Sequence, residues 1–597
     1  VVKAYCFPDY DNLSDEIRQR GTKMKANLIK LFVLAGILVL AVIVIGGINT
    51  TSADVPAQGK PPTVALPTRV GTKPPTLTAT PTKPGAQPQV GSTPVAPLKG
   101  ATRTPTRVVK PQGIRSAYTA PWTTSITYQN VGTANATNII ATFYVAGSGT
   151  AYTTAPLSLN AGAGTSMFIG SVSTTPSLPS SFRGDAVFSS DQPLVSTAVQ
   201  FVNDPSFRMR ILSNGFQESD KSNQYLIATT LFNKFNRTTI FSIQNTETAP
   251  ITATVRFYNA DAGGALASAV NHNIPAQSSK YIDMGNVADT GLTGYATFNG
   301  SAIVTAVLAS DGTTPANVVA AVHEYYTDSN VAMAFEGVPL SRAANTIYMA
   351  TALCQRYSLT TYYAVQNASI TAGNNAQITV TYRNTDGSIK ASDGPYTIGP
   401  GQKKSINTCA PSDSTNMSNF TGSAVITSVG APIVVIGKAQ DGTSGADPAV
   451  AEFFTGFMGE PSGSTKRALP FIRWANDTNY NASGNIGGKQ RCTLAVQSLA
   501  SGTNKYNVRY YSKTGALVAT EVLTIAQYAK ANSSPASAGA LGTSGMNPGE
   551  FGYYTDGTYG GAAIIEAHPD NPAATFIAIA RCQHPGAGED YNAIPVN

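Results

Sequence analysis

The chain has 597 residues and a formal net charge of +7, with only 12% of residues charged against roughly 25% in an average soluble protein. That length supplies about four ordinary domains, and the low charge suits extracellular β-rich modules better than a helical cytoplasmic enzyme. The excess positive charge is local, which argues against a basic face for specific nucleic-acid binding.

In chain order, residues 1–30 read as a cytoplasmic stub or as translated upstream sequence, with Met24 opening a signal-like MKAN. Residues 31–48 (LFVLAGILVLAVIVIGGI) carry no charge and follow Lys23, Lys25 and Lys30, so everything beyond is expected outside the cell. The segment nearly matches a bilayer span and reads as an anchor, although Thr51-Ser52-Ala53 would also serve as a signal-cleavage site. Residues 49–113 form a Pro/Thr-rich linker. It holds Lys60, Arg69, Lys73, Lys83, Lys99, Arg103, Arg107 and Lys110, and no acidic residue falls between Val55 and Gly113. Such a segment cannot bury a core and is expected to be extended, reaching the cell envelope or lipid headgroups through its charge.

Beyond residue 113 one pattern recurs. TSITYQN (124–130), TIFSIQN (239–245), TYYAVQN (361–367) and TLAVQ (493–497) are alternating strands spaced as β-sandwich domains would be. A second strand follows each: ATFY (141–144), ATVRFY (253–258), ITVTY (378–382) and NVRYY (507–511). Next comes a glycine opening a small or apolar strand, at Gly184, Gly294, Gly422 and Gly561, and then a partner strand beginning at Leu194, Ala302, Pro432 and Ala574. Alternation predicts that Ile243, Val365 and Val496 are buried at equivalent positions, with Ile126 matching them. The fold expected is all-β: four tandem immunoglobulin-like sandwiches over 114–221, 222–340, 341–465 and 466–597, forming a string whose last member presents distal loops.

With these motifs, residues 114–597 resemble the Ig-like repeat cell-surface proteins of Chloroflexota-type bacteria. Their units carry a Thr-x-apolar-x-apolar-Gln-Asn strand, a Gly-Ser-Ala-Val strand and a Pro-apolar-Val strand. The fourth unit departs at Gln497-Ser498. The resemblance implies a surface location with adhesion or envelope structure, and supplies no catalytic residue.

Cys354, Cys409, Cys492 and Cys582 lie beyond the apolar segment, an even number that suits an oxidising compartment. Of the three pairings, only Cys354 with Cys409 and Cys492 with Cys582 closes each bridge inside one unit. His272, His323, His568 and His584 are scattered; His323-Glu324 begins like a zinc-protease helix, but Thr327 occupies the second histidine position and an edge strand explains it better. No nucleophile elbow, phosphate loop or dinucleotide fingerprint occurs, so no catalytic, metal or cofactor-binding residue is expected. One loop, FGYYTDGTYGG (551–561), gathers tyrosines among glycines. Exposed, Tyr553, Tyr554 and Tyr559 would stack on sugar rings with Asp556 accepting hydroxyl hydrogen bonds; a hairpin with cross-strand aromatics is the simpler alternative.

The function expected is a non-enzymatic structural or adhesive surface protein, self-assembling or binding surface glycans. A carbohydrate-binding array is the second reading, and an envelope hydrolase the third.

Overall fold

The computed structural model describes residues 116–204, 207–329, 331–441, 453–482, 488–584 and 587–596. The expected stub, apolar segment and basic linker, 1–30, 31–48 and 49–113, lie outside them. Among the described residues no helix is long and apolar enough to cross a membrane.

The described residues are all-β, and their strands form eight antiparallel sheets that group along the chain as four pairs. At the centre of one sheet in each pair is a Gln strand: Trp122–Asn130, Arg237–Asn245, Leu359–Asn367 and Arg491–Ser498. Each pairs with a short edge strand on one side and with a long partner on the other: Leu194–Asp204, Val318–Tyr326, Ile433–Asp441 and Phe576–His584. A closing strand completes that sheet: Phe207–Asn214, Ala332–Glu336, Phe454–Met458 and Ala587–Asn592.

The Gln-Asn dipeptide is a structural device. Alternation turns one residue of each Gln strand inward every second position, and the terminal asparagine bridges two loops with its carboxamide. Asn130 Nδ2 donates to Ala134 O and Leu159 O (2.9 and 3.0 Å), and Asn367 Nδ2 donates to Asn374 O and Ile398 O (2.9 Å each). Asn245 makes the same bonds to Ala249 O and Ile274 O. In the fourth unit Ser498 shares a 2.7 Å hydrogen bond with the Tyr506 hydroxyl instead, which accounts for the departure there. Removing a buried donor strands its acceptors at about 1–3 kcal/mol. Asn367→Ala should therefore cost about 2 kcal/mol in urea unfolding, and a loss below about 0.5 kcal/mol would remove the asparagine from this role.

The second recurring device is Phe-x-Gly. Phe182, Phe298 and Phe420 each meet an aromatic of their unit's second strand edge-on, Phe143, Phe257 and Tyr382 respectively, at 5.9–6.3 Å between ring centroids. Two residues on, a Cβ on Gly184, Gly300 or Gly422 would sit 1.8, 2.1 or 1.9 Å from the carbonyl oxygen of Tyr144, Tyr258 or Arg383, so only glycine fits. This corrects the second unit. Gly294 lies in a turn, Gly300 opens the contact, Ala302 belongs to the same strand (Phe298–Leu308), and the partner is Val318–Tyr326.

Register also corrects one equivalence. Gln129, Gln244, Gln366 and Gln497 face the same position of their edge strands, which aligns Ile243, Val365 and Val496 with Tyr128, whereas Ile126 aligns with Phe241, Tyr363 and Leu494. All of these side chains are buried.

The four sheet pairs do not form a string. They close into a ring, because at each joint the hairpin glycine of one pair (Gly149, Gly264, Gly387) meets the segment before the edge strand of the next (Ala276, Gln402, Gln527), and Gly515 of the fourth meets Ala161 of the first in the same way. Gly147 N donates to Ser279 O (3.0 Å), Ser301 Oγ to Gly401 O (2.7 Å) and Lys530 N to Thr385 O (3.0 Å). The closing joint is Asn160 Nδ2 to Thr514 O, at 3.2 Å. The cores run across the joints: Ala364, Val434 and Ile436 pack with the second core, Ile577 and Ile579 with the third, and Val199 and Leu212 with the fourth.

The closing strands meet at the ring centre, where Asn214 N donates to Glu336 Oε1, Asn214 Nδ2 to Asn592 O (2.8 Å) and Asn592 Nδ2 to Met458 O (2.9 Å). Beside them is a cavity of about 390 Å³ lined by residues of all four units, including Asp220, Glu336, Arg342, Glu460 and Arg467. Burial pushes the Glu336 carboxyl up to about 7; the Asn214 N–H and Arg342 oppose this and Asp220 adds to it. A carboxyl raised in the folded state binds its proton more tightly there. Its stabilising contribution is full below about pH 4.5 and is lost as pH rises through about 7. Glu336→Gln, which keeps the acceptor, should flatten the fall in melting temperature between pH 5 and 7 relative to the parent. Parallel slopes in the two proteins would contradict this.

Candidate ligand groove

At the closing joint, where the first unit meets the fourth, a groove of about 360 Å³ opens between the outer face of one sheet and a wall of loops. Antiparallel pairing sets Ser125 opposite both Phe168 and Val199, Thr127 opposite Ser166, and Phe201 opposite Arg210, so all seven point from the same sheet face. Phe168 and Phe201 pack at 5.9 Å, and the hydroxyls of Thr127 and Ser166 share a 2.7 Å hydrogen bond. The facing wall comes from the fourth unit: Phe471, Arg473, Gly488, Lys489, Tyr553 and Tyr559.

The structure divides the tyrosine loop. Tyr553 is buried, its hydroxyl accepting from Gln490 N at 2.7 Å, and burial pushes that hydroxyl up to about 12. Its ring meets Tyr559 edge-on at 5.9 Å, and Tyr559 is 61% exposed at the groove mouth. Tyr554 and Asp556 belong to the opposite side of the hairpin. Tyr554 is buried and its hydroxyl accepts from Lys513 N at 2.7 Å, while Asp556 holds Lys513 Nζ at 2.7 Å. The Lys513 and Thr558 hydrogen bonds hold the Asp556 carboxyl well below the usual range. Tyr553 and Tyr559 therefore line the groove, and Tyr554 and Asp556 brace the hairpin. The segment is thus a hairpin with a cross-strand aromatic pair, Tyr553 bridged to Tyr559, the simpler of the two arrangements expected from the sequence, and the three tyrosines do not stand in one exposed row.

Among the described residues, three cations line the groove and no carboxylate does. Lys489 Nζ bonds the Glu550 carboxylate at 2.8 Å and lies 4.9 Å from the Tyr553 ring centre. Arg210 Nη1 donates to Gln490 Oε1 at 2.7 Å, and Gln490 Nε2 donates to Glu589 Oε2 at 2.6 Å. Arg473 is buried with its guanidinium 4.7 Å from the Phe471 ring centre, and its Nη1 donates to the carbonyls of Ile472 and Gly561 (2.8 and 3.0 Å). Among the described residues no carboxylate lies within ion-pair distance of it, and burial holds its pKa below the usual arginine value. Phe168, Phe201, Arg210, Phe471, Arg473 and Lys489 escape a reading of the sequence because they come from opposite ends of the repeat array.

The disulfide Cys492–Cys582 joins directly paired strands behind this wall, and Cys354–Cys409 closes the third unit, with Cα separations of 3.9 and 5.0 Å. Cys492 N donates to Arg473 O at 2.8 Å, so the bridge anchors the segment that carries Arg473. His323 stands on a strand paired on both sides rather than at an edge, and burial pushes its imidazole down to about 4. Among the described residues no three His, Cys, Asp or Glu side chains gather as metal ligands. No protein-family model matches the chain, and no curated protein matches its sequence.

Proposed function

We propose that this chain is a non-enzymatic cell-surface protein of structural or adhesive type, exported by residues 31–48 and carried away from the membrane on the basic linker 49–113. Its four sheet pairs are Ig-like domains of the type found in Chloroflexota surface proteins. The observation that carries the reading is the closed ring with cores running across its joints, which turns the four units into a single stiff head rather than a flexible string. Both disulfides suit an oxidising exterior. Electron microscopy of the native cell surface tests it: discrete heads or an ordered layer outside the membrane are expected, and labelling confined to the cytoplasm would refute it.

The groove favours a second reading, in which the head binds surface carbohydrate. Ligand pockets combine apolar and aromatic walls with a few convergent polar groups, and this groove has that make-up. A glycan-array screen of the full chain, with Tyr559→Ala as the comparison, separates binding in the groove from a purely structural role.

A further inference from the structure

We infer that the groove between the first and fourth units is built for an acidic saccharide, a pyranose carrying a carboxylate, with Arg473 as its anionic subsite. The inference rests on the carbohydrate reading above and adds to it the charge of the ligand.

The walls divide by chemistry. Phe168, 41% exposed, and Tyr559, 61% exposed, present ring surface at the groove where exposed large aromatics otherwise gain nothing. Aromatic rings pack against the C–H faces of a pyranose while leaving its hydroxyls free. Between them the sheet face offers the hydroxyls of Ser125, Thr127 and Ser166, each both donor and acceptor, in the spacing that register imposes. The third element is cationic. Arg473 is held rigid by two bonds from one nitrogen to backbone carbonyls and by packing over Phe471, and no described carboxylate neutralises it. A buried guanidinium without a counter-ion is costly, and a ligand carboxylate reaching it would supply one. The planar fork of arginine suits a carboxylate through paired N–H donors. Lys489 and Arg210 stand on the same wall but are paired with acids outside the groove lining, Glu550 at 2.8 Å and Glu589 at 4.0 Å, so the anionic subsite rests on Arg473. A neutral sugar would leave this charge unused. A cavity of about 360 Å³ lies at the lower end of ligand pockets, about 300–1,000 Å³, which limits the occupant to a short saccharide.

Calorimetric titration of the full chain with disaccharides of galacturonic and glucuronic acid, and with the same disaccharides after reduction of the carboxylates to hydroxymethyl groups, tests the inference. Binding of at least one acidic disaccharide about tenfold tighter than its neutral form is expected, the scale of one charge-assisted hydrogen bond. Tyr559→Ala and Phe168→Ala, both at partly exposed positions, should each weaken that binding about tenfold while the head stays folded, as circular dichroism would show. Equal binding of acidic and neutral forms would overturn the charge assignment and leave the carbohydrate reading standing. Binding that is insensitive to both aromatic variants would move the site out of the groove, and absence of binding to every disaccharide would overturn the inference outright.

Discussion

Glu460→Ala is expected to destabilise the head by about 3–5 kcal/mol, because it leaves the buried Arg467 without its counter-ion and the half-buried Arg342 with Asp220 alone. Glu460 sits at the ring centre, 3% exposed, where it accepts from Arg342 Nη2 (2.6 Å), Arg467 Nη1 (3.2 Å) and Asn592 Nδ2 (3.0 Å). Burial alone would raise its carboxyl; Arg467 and then Arg342 outweigh burial and hold it below the usual range. The carboxylate is thus charged in the folded state and links the segment that opens the third unit to both ends of the fourth. Urea unfolding measures the effect. Glu460→Gln should lose less than alanine, since it retains hydrogen-bonding capacity, and the double replacement Glu460→Met with Arg467→Met should recover some of the loss by removing buried charge. A loss under about 1 kcal/mol in Glu460→Ala would mean that solvent in the central cavity takes over the role of the carboxylate.

Opening the Cys492–Cys582 bridge is expected to cost about 4–5 kcal/mol. It closes a loop of 90 residues, and in the chain-entropy model the restraint on the unfolded chain grows with the logarithm of loop length. Cys354–Cys409, with a separation of 55, should contribute about 4 kcal/mol on the same basis. The two bridges differ in what they hold. Cys492 N is hydrogen-bonded to the backbone of Arg473, whereas Cys409 follows an edge strand of the third unit, which contributes no residue to the groove lining. Paired Cys→Ala replacement at 492 and 582 should therefore lower both stability and the affinity of the groove. The same replacement at 354 and 409 should lower stability alone, and equal effects on affinity would contradict the assignment of the bridge to the groove wall.

Whatever repeats locally is legible in the sequence. The Gln-Asn strands, their second strands and the within-unit cysteine pairs follow from alternation and spacing, which backbone geometry translates directly into faces and neighbours. The glycine landmark slips in the second unit because Gly294 and Gly300 stand close together, and only the aromatic two residues earlier, Phe298, distinguishes them. Ile126 falls two residues out of register because Tyr128 replaces the aliphatic residue of the other units. Ring closure is not legible at all. It depends on strands buried on both faces, such as Ala332–Glu336 and Ala587–Asn592, where alternation disappears and even Glu589 and Asp590 are buried. Its key bond, Asn214 to Asn592, spans 378 residues. The groove depends on that closure, so only the tyrosine loop, half of one wall, could be singled out from the chain.

Domains strung on linkers give way singly, each at its own temperature or force, so that partial damage leaves the remainder intact. A cyclic arrangement has no terminal member to lose first. Once any one unit melts, hydrophobic flanks of the two beside it are uncovered to water: for the fourth, Val199 and Leu212 of the first unit and the face of the third core against which Ile577 and Ile579 pack. The penalty for the first loss is thus larger than for any later one, which couples the whole head into a single all-or-none transition and denies proteases a half-open intermediate in which to cut.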